Sequence, residues 1–186
     1  MNHDFEELYA SKEQVWSGNP NENLVATVQG WTPGAALDIG CGEGADLKWL
    51  HEQGWQVTGV DPAPTAIERS RTACPEAELH VGTFEDLELG QFDLVFAGYV
   101  PLAKDAGNKL KATLKPGGTL ILLHHEFPGH QKPEDYLMPH NAPELLGDEW
   151  DIEIIKKPRH VSHGDGKHHK DDLLLKATVR ELEESS

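Results

Sequence analysis

The sequence predicts a doubly wound α/β domain. Three observations lead there: short, almost continuously apolar segments alternate with helix-sized ones, proline and glycine punctuate the junctions, and the links are short. Strands buried on both faces read as apolar runs, and strands that alternate with helices through short links form a parallel sheet joined by right-handed crossovers.

Taken in order, residues 1–30 read as a helical lead-in or lid. Residues 35–39 form the first expected strand, and a helix over 45–53 ends at Gly54. A second strand over 56–60 runs into Asp61-Pro62-Ala63-Pro64, whose prolines suit the entry to a helix over 65–71. Strands come next over 78–81 and 92–97, then a helix within 101–114 that Pro116-Gly117-Gly118 terminates, then a fifth strand over 119–123. Residues 128–146 are the least regular stretch and read as a loop over the site with a short helix near 143–146. Residues 150–157 and 172–180 alternate like strands, and the polar loop 162–169 between them suits an antiparallel hairpin. The tail 181–186 is expected to fray.

A chain of 186 residues is the size of one domain. It divides into the lead-in 1–30, a core over 35–125, a loop over the site at 126–149 and a terminal hairpin at 150–180. The 16 Lys and Arg against 32 Asp and Glu leave a formal charge of -16. That charge repels phosphate backbones and anionic lipid surfaces, so neither nucleic acid nor a membrane is an expected partner. The N-terminal residues are acidic where a signal peptide is basic, and no apolar run reaches membrane-spanning length, so a cytoplasmic protein is expected. Cys41 and Cys74 have no disulfide or zinc spacing and read as free thiols. Nothing in the sequence sets an oligomeric state.

The chemistry concentrates at one turn. In open α/β sheets ligands sit at the carboxyl ends of the strands, where the chain leaves the first strand for a helix. Leu37-Asp38-Ile39-Gly40-Cys41-Gly42-Glu43-Gly44 occupies that place. Glycines let the backbone turn sharply and a ligand approach where side chains would collide. Asp61 stands at the end of the second strand, where a carboxylate can accept the hydroxyl protons of a ribose. Two cofactors fit this pattern, because Gly40-Cys41-Gly42-Glu43-Gly44-Ala45 also satisfies the dinucleotide form Gly-x-Gly-x-x-Ala. The acids favour one of them. Asp38 and Glu43 oppose a pyrophosphate at a helix N-terminus but suit the ammonium and sulfonium of S-adenosylmethionine (SAM). A glycine turn in a domain with no ligand is the weaker reading.

Leu37 to Gly44, Val60-Asp61, Phe92-Asp93-Leu94-Val95 and Leu114-Lys115-Pro116-Gly117-Gly118-Thr119-Leu120 resemble, in order and spacing, the successive motifs of class I SAM-dependent methyltransferases. Tyr9 and Trp16-Ser17-Gly18-Asn19-Pro20-Asn21 further resemble the lead-in of small bacterial methyltransferases of the tellurite-resistance and thiopurine type. The resemblance implies a Rossmann-like sheet of seven strands, the last antiparallel. It implies that Gly40, Gly42 and Gly44 line the methionine part of SAM and that Asp61 binds its ribose, with Asp38, Cys41 and Pro62 also in the cofactor site. An acid often comes after the third strand in this family to accept from the adenine amino group. Here Thr83 stands there, with Phe84 next and Glu85 or Asp86 as substitutes. Tyr99 is expected near the methyl group or acceptor, or else as a half-buried aromatic. Trp16 is either a lid over the sulfonium or a helix-packing residue.

His124-His125-Glu126 comes after the fifth strand on the ligand edge, so an imidazole or Glu126 is a candidate base. His130 and His140 lie in the next loop without metal-ligand spacing, and His160, His163, His168 and His169 read as solvated residues of the hairpin loop. Strand alternation sends His124 and His125 to opposite faces, so one of them is expected to reach the acceptor. The expected function is methyl transfer from SAM to a small-molecule acceptor by in-line displacement, with no metal. The alternatives are a nicotinamide-dependent oxidoreductase and a non-catalytic SAM-binding domain.

Overall fold

The computed structural model describes residues 2–11, 18–127, 134–158 and 171–181, and of residues 2–5 and 11 the backbone alone. Trp16, Ser17, His130, the polar loop 162–169, His160 and the tail 182–186 lie outside the described residues.

Helices α1 (Asn2–Ser11) and α2 (Glu22–Val28) precede strand β1 (Ala35–Ile39). Then come α3 (Ala45–Glu52), β2 (Gln56–Asp61), α4 (Pro64–Ala73), β3 (Glu78–Val81) and β4 (Phe92–Gly98). The remaining elements are β5 (Leu102–Ala103), α5 (Gly107–Thr113), β6 (Leu114–His125), β7 (Tyr136–Leu137), α6 (Ala142–Leu146), β8 (Trp150–Lys157) and β9 (Asp172–Val179). Seven strands form one sheet in the order β3-β2-β1-β4-β6-β9-β8. β1, β2, β3, β4 and β6 run parallel, and β9 is antiparallel to both β6 and β8. The predicted doubly wound sheet with an antiparallel terminal hairpin is therefore present.

The apolar strands result from burial on both faces. On one face Leu37, Ile39, Val95, Leu120 and Leu122 pack with Leu110 of α5 and Ala142 of α6. On the other Ala36, Leu94, Phe96, Ile121 and Leu123 pack with Leu47 and Leu50 of α3 and Ile67 of α4. A buried leucine contributes about 1.5–3 kcal/mol relative to exposure, so neither helical layer can be stripped from the sheet cheaply. After β1 the chain winds outward through β2 and β3 and returns to β4 on the other side of β1. That reversal is the topological switch point, and the crevice beyond it is where an open α/β sheet binds its ligand.

Three details depart from the sequence expectation. The helix predicted within 101–114 is confined to Gly107–Thr113, because buried Leu102 pairs with Leu137 in the small β5-β7 sheet. The fifth large strand runs past Leu123 to His125, because β9 offers partners to the end, His124 opposite Leu173 and His125 opposite Asp172. Residues 134–149 contain the short helix expected near 143–146, as α6, but the segment is not a free loop. Instead Leu137, Met138 and Ala142 are buried, with Leu137 and Ala142 in the core of the α5 face.

Candidate SAM site

A cavity of about 1190 Å³ opens at the carboxyl ends of β1, β2, β3 and β4, somewhat beyond the roughly 300–1,000 Å³ usual for small-molecule sites. Its floor is the turn from β1 to α3. The amides of Gly40 and Cys41 donate to the Val60 carbonyl at 2.8 and 3.0 Å, which ties the turn to β2. Gly44 caps α3 at φ 92°, and a Cβ there would lie 2.9 Å from the backbone Cα of Ser70. Only glycine permits both that conformation and that approach of α4. Ser70, wholly buried, donates its hydroxyl to the Gly42 carbonyl at 2.7 Å and so braces the turn from α4.

Asp61 ends β2 at the cavity wall. Its carboxylate accepts from the Gly42 amide at 3.0 Å and the Ala63 amide at 2.9 Å. Burial raises its pKa, against the opposing effect of those two amides. Each oxygen retains acceptor capacity for a ligand hydroxyl, since a carboxylate offers about four lone-pair sites. Asp46, in the first turn of α3, also lines the cavity, and burial raises its pKa although the Asn21 amide donates to it at 2.7 Å. Asp38 lies behind the turn rather than on the cavity wall. Burial, then the charges of Asp46 and Asp61, holds its carboxyl well above the usual range, and its Oδ2 has no hydrogen-bond partner among the described residues. Three carboxyl groups crowded under one glycine turn disfavour a pyrophosphate and favour a ligand that brings positive charge. These carboxyl groups thus fit an adenosyl sulfonium.

The lead-in closes one side. Tyr9 of α1 is buried against Ala63 and Ala66 and lines the cavity. Glu6 accepts from the Thr65 amide at 3.1 Å, supplying a carboxylate to the first turn of α4. Arg69 joins the layers, donating to the Tyr9 carbonyl at 2.7 Å and pairing with Glu43 at 3.0 Å. Past β3, Gly82, Thr83, Phe84 and Glu85 line the cavity, while Asp86 does not. Glu85 accepts from the Ala103 amide at 2.8 Å, and Lys109 sits 5.1 Å from the centre of the Phe84 ring.

At the far end, Tyr99 adopts φ 58°, a left-handed conformation that costs a side-chain-bearing residue about 1–2 kcal/mol. Its hydroxyl donates to Asp172, the first residue of β9, and Asp172 also lies 2.9 Å from His125 Nδ1. Tyr99, His125 and Asp172 all line the cavity, together with Val100, Pro101, Leu102 and Pro158.

Of the three candidate bases, His125 alone stands on the cavity wall. His124 is not on that wall; its ring lies 5.3 Å from that of Phe127 and 5.9 Å from that of Tyr99, and burial, ahead of the charge of His125, depresses its pKa to about 4. Glu126 turns outward to Lys156 at 3.0 Å. Neither His124 nor Glu126 lines the cavity. Gly40, Cys41, Gly42, Gly44, Asp61, Pro62, Thr83, Phe84 and Tyr99 line the cavity as expected, and Asp38 does not. Sequence reasoning missed Asp46, Ser70, Arg69 and Asp172. Asp46 and Ser70 carry a faint signal, a polar residue on an otherwise apolar helix face, but Asp172 declares itself only through the β6-β9 register.

A methyltransferase domain model matches residues 37–122. The chain is 28% identical over 169 residues to the 2-heptyl-1-hydroxyquinolin-4(1H)-one methyltransferase of Mycobacteroides abscessus, covering 81% of this chain and 74% of the relative. It is 33% identical over 133 residues to an uncharacterized methyltransferase of Synechocystis, covering 66% and 60%. The chain thus spans about three quarters of the first relative and under two thirds of the second. Among solved structures it is similar to the N-methyltransferase NodS of Bradyrhizobium japonicum in complex with S-adenosyl-L-homocysteine. That match has a TM-score of 0.75 and 18% identity, over 97% of this chain and 99% of the other. It is also similar to TehB of Haemophilus influenzae, at a TM-score of 0.71 and 14% identity, over 95% and 67%. These structures share the fold. Taken with the motif set and the carboxyl groups of the site, the matches make the chain similar to class I SAM-dependent methyltransferases.

Proposed function

We propose that this chain transfers a methyl group from SAM to a small-molecule acceptor. The observation that carries the reading is Asp61, held at the end of β2 by the Gly42 and Ala63 amides and facing the cavity across the glycine turn. Asp61 would accept the ribose hydroxyls of SAM, the turn from Gly40 to Gly44 would hold its methionine end, and Thr83, Phe84 and Glu85 would border its adenine. SAM supplies an electrophilic methyl group on a sulfonium. The chain's task is alignment and exclusion of water, because an in-line displacement gains most from a held geometry. Tyr9 on one side and Tyr99 with Val100 and Leu102 on the other suit that task.

A small acceptor is favoured by the net charge of -16, which repels polyanions. The Mycobacteroides relative, named for a hydroxyquinolone, supports an acceptor of that size. Among the described residues no helix is long and apolar enough to cross a membrane, and the thiols of Cys41 and Cys74 are buried and free, which suits a reducing cytoplasm. The test is turnover of SAM to S-adenosylhomocysteine with a panel of hydroxyl, amine, carboxyl and thiol metabolites. Turnover with at least one small acceptor is expected. SAM binding without turnover on any would instead favour the non-catalytic alternative.

A further inference from the structure

We propose that His125 and Asp172 form a proton-accepting pair for a hydroxyl acceptor, with His125 as the catalytic base and Asp172 as its positioning residue. This rests on the methyltransferase reading above. The pair is built into the sheet, since His125 and Asp172 are directly opposite one another in the antiparallel β6-β9 ladder. Cross-strand neighbours of this kind have their Cβ atoms about 4.5–5.5 Å apart, so the register itself brings the two side chains together. Asp172 is 2% exposed, and a carboxylate buried so far needs partners for its oxygens. It has them in the Tyr99 hydroxyl on Oδ2 and His125 Nδ1 on Oδ1.

An Nδ1–H directed at a carboxylate fixes the imidazole tautomer, and Nε2 is then the nitrogen with a lone pair for the cavity that His125 lines. Tyr99 serves the same arrangement. Its left-handed backbone aims the phenol back at Asp172, and its ring lies 4.7 Å from that of His125. Strain of this kind persists where the surroundings over-determine it, as at a working site. Other titratable groups lie nearby among the described residues. His124 on β6, with its depressed pKa, is neutral near pH 7, Lys157 of β8 stands opposite Asp172 in register, and Lys156 is engaged by Glu126 and Asp171.

That geometry dictates the chemistry. The acceptor's O–H bond breaks and its proton passes to His125 Nε2. The freed oxygen pair forms the bond to the methyl carbon as the carbon–sulfur bond breaks, leaving its electrons on sulfur. A methyl ether and S-adenosylhomocysteine result, and the imidazolium, stabilised by Asp172, returns its proton to water. The apolar lining of Val100, Pro101, Leu102 and Pro158 suits a hydroxyl on an otherwise apolar molecule.

The test has a readout that needs no acceptor. Nitrogen-15 spectra of the His125 ring in the parent protein should show the single Nδ1–H tautomer at neutral pH, and D172N should show a mixture. For activity, a phenol and the thiophenol of the same skeleton serve as acceptors with saturating SAM. H125A should lower kcat on the phenol about 100-fold or more, the usual scale of general-base catalysis, and D172N about ten-fold or more. D172E should recover part of the loss. On thiophenol, already ionised near neutral pH, both should stay within about two-fold of the parent, and calorimetric SAM affinity should be unchanged in every variant with a native unfolding transition. The parent should lose phenol methylation as pH falls below a plateau, whereas H125A should lack the plateau and follow the ionisation of the phenol itself.

A mixed tautomer in the parent overturns the pair, as do equal losses on both acceptors or methylation of thiophenol alone. Failure of the parent to bind SAM would instead overturn the methyltransferase reading on which the pair rests.

Discussion

Replacing Gly44 with alanine should damage the fold and the SAM site together, by an amount the structure allows to be worked out. Gly44 sits at φ 92°, where a Cβ costs about 1–2 kcal/mol. The new Cβ would lie 2.9 Å from Ser70 Cα, a backbone atom of α4 that cannot rotate aside, and relieving such overpacking costs roughly 1–3 kcal/mol. Moving α4 also loosens the Ser70 hydroxyl from the Gly42 carbonyl, a bond worth about 1 kcal/mol net. The sum is about 3–6 kcal/mol, or roughly 6–24 °C in Tm for a domain of this size. Gly117→Ala is the control, because φ is 78° there and nothing lies within 4 Å of the added Cβ, so only the conformational cost applies. Thermal unfolding and SAM calorimetry on both variants decide the matter. If Gly44→Ala loses no more stability than Gly117→Ala and binds SAM like the parent, the packing of α4 on the turn has been misjudged.

The same geometry sets two further outcomes. His124 has a folded pKa of about 4 against an ordinary 6.5. Between those values the unfolded chain binds a proton that the folded chain refuses, so stability should fall as pH drops from about 6.5 toward 4, by about 1–2 kcal/mol because water screens the partly buried ring. Urea unfolding at pH 7 and 4.5 should show a smaller acid loss for His124→Phe, and an equal loss in both proteins would contradict the burial argument. Glu6→Ala removes the carboxylate that caps the first turn of α4 and holds α1 beside the cavity, so SAM should dissociate faster and stability should fall by about 1 kcal/mol. Stopped-flow release measures the former, and an unchanged rate would mean that α1 does not restrain the ligand.

The features legible in the sequence were local ones. The strands of the core declare themselves because burial on both faces leaves nearly continuous apolar runs, as in Phe92 to Ala97. The glycine turn and Asp61 are legible because both lie at the exits of strands that are themselves legible. The failures share another cause. β5 exists only because Leu102 meets Leu137 across 35 residues, and β6 reaches His125 only because β9 pairs with its end. Asp38 belongs to the recognised turn, yet side-chain alternation along β1 leaves it off the cavity wall. Asp172 is one of many acids in an acidic chain until a register across 47 residues sets it beside His125.

The central claim, that this cavity is a SAM site organised around Asp61, is tested most directly by calorimetric titration of SAM into the parent, Asp61→Ala and Glu43→Gln. The parent should bind one SAM per chain. Asp61→Ala removes a charged acceptor for the ribose hydroxyls, a loss of roughly 1.5–3 kcal/mol, which is about ten- to 150-fold in Kd. Glu43 is engaged by Arg69 rather than free for the ribose, so Glu43→Gln should change the affinity far less. A parent that does not bind SAM, or an Asp61→Ala variant that binds it as the parent does while remaining folded, would contradict the account.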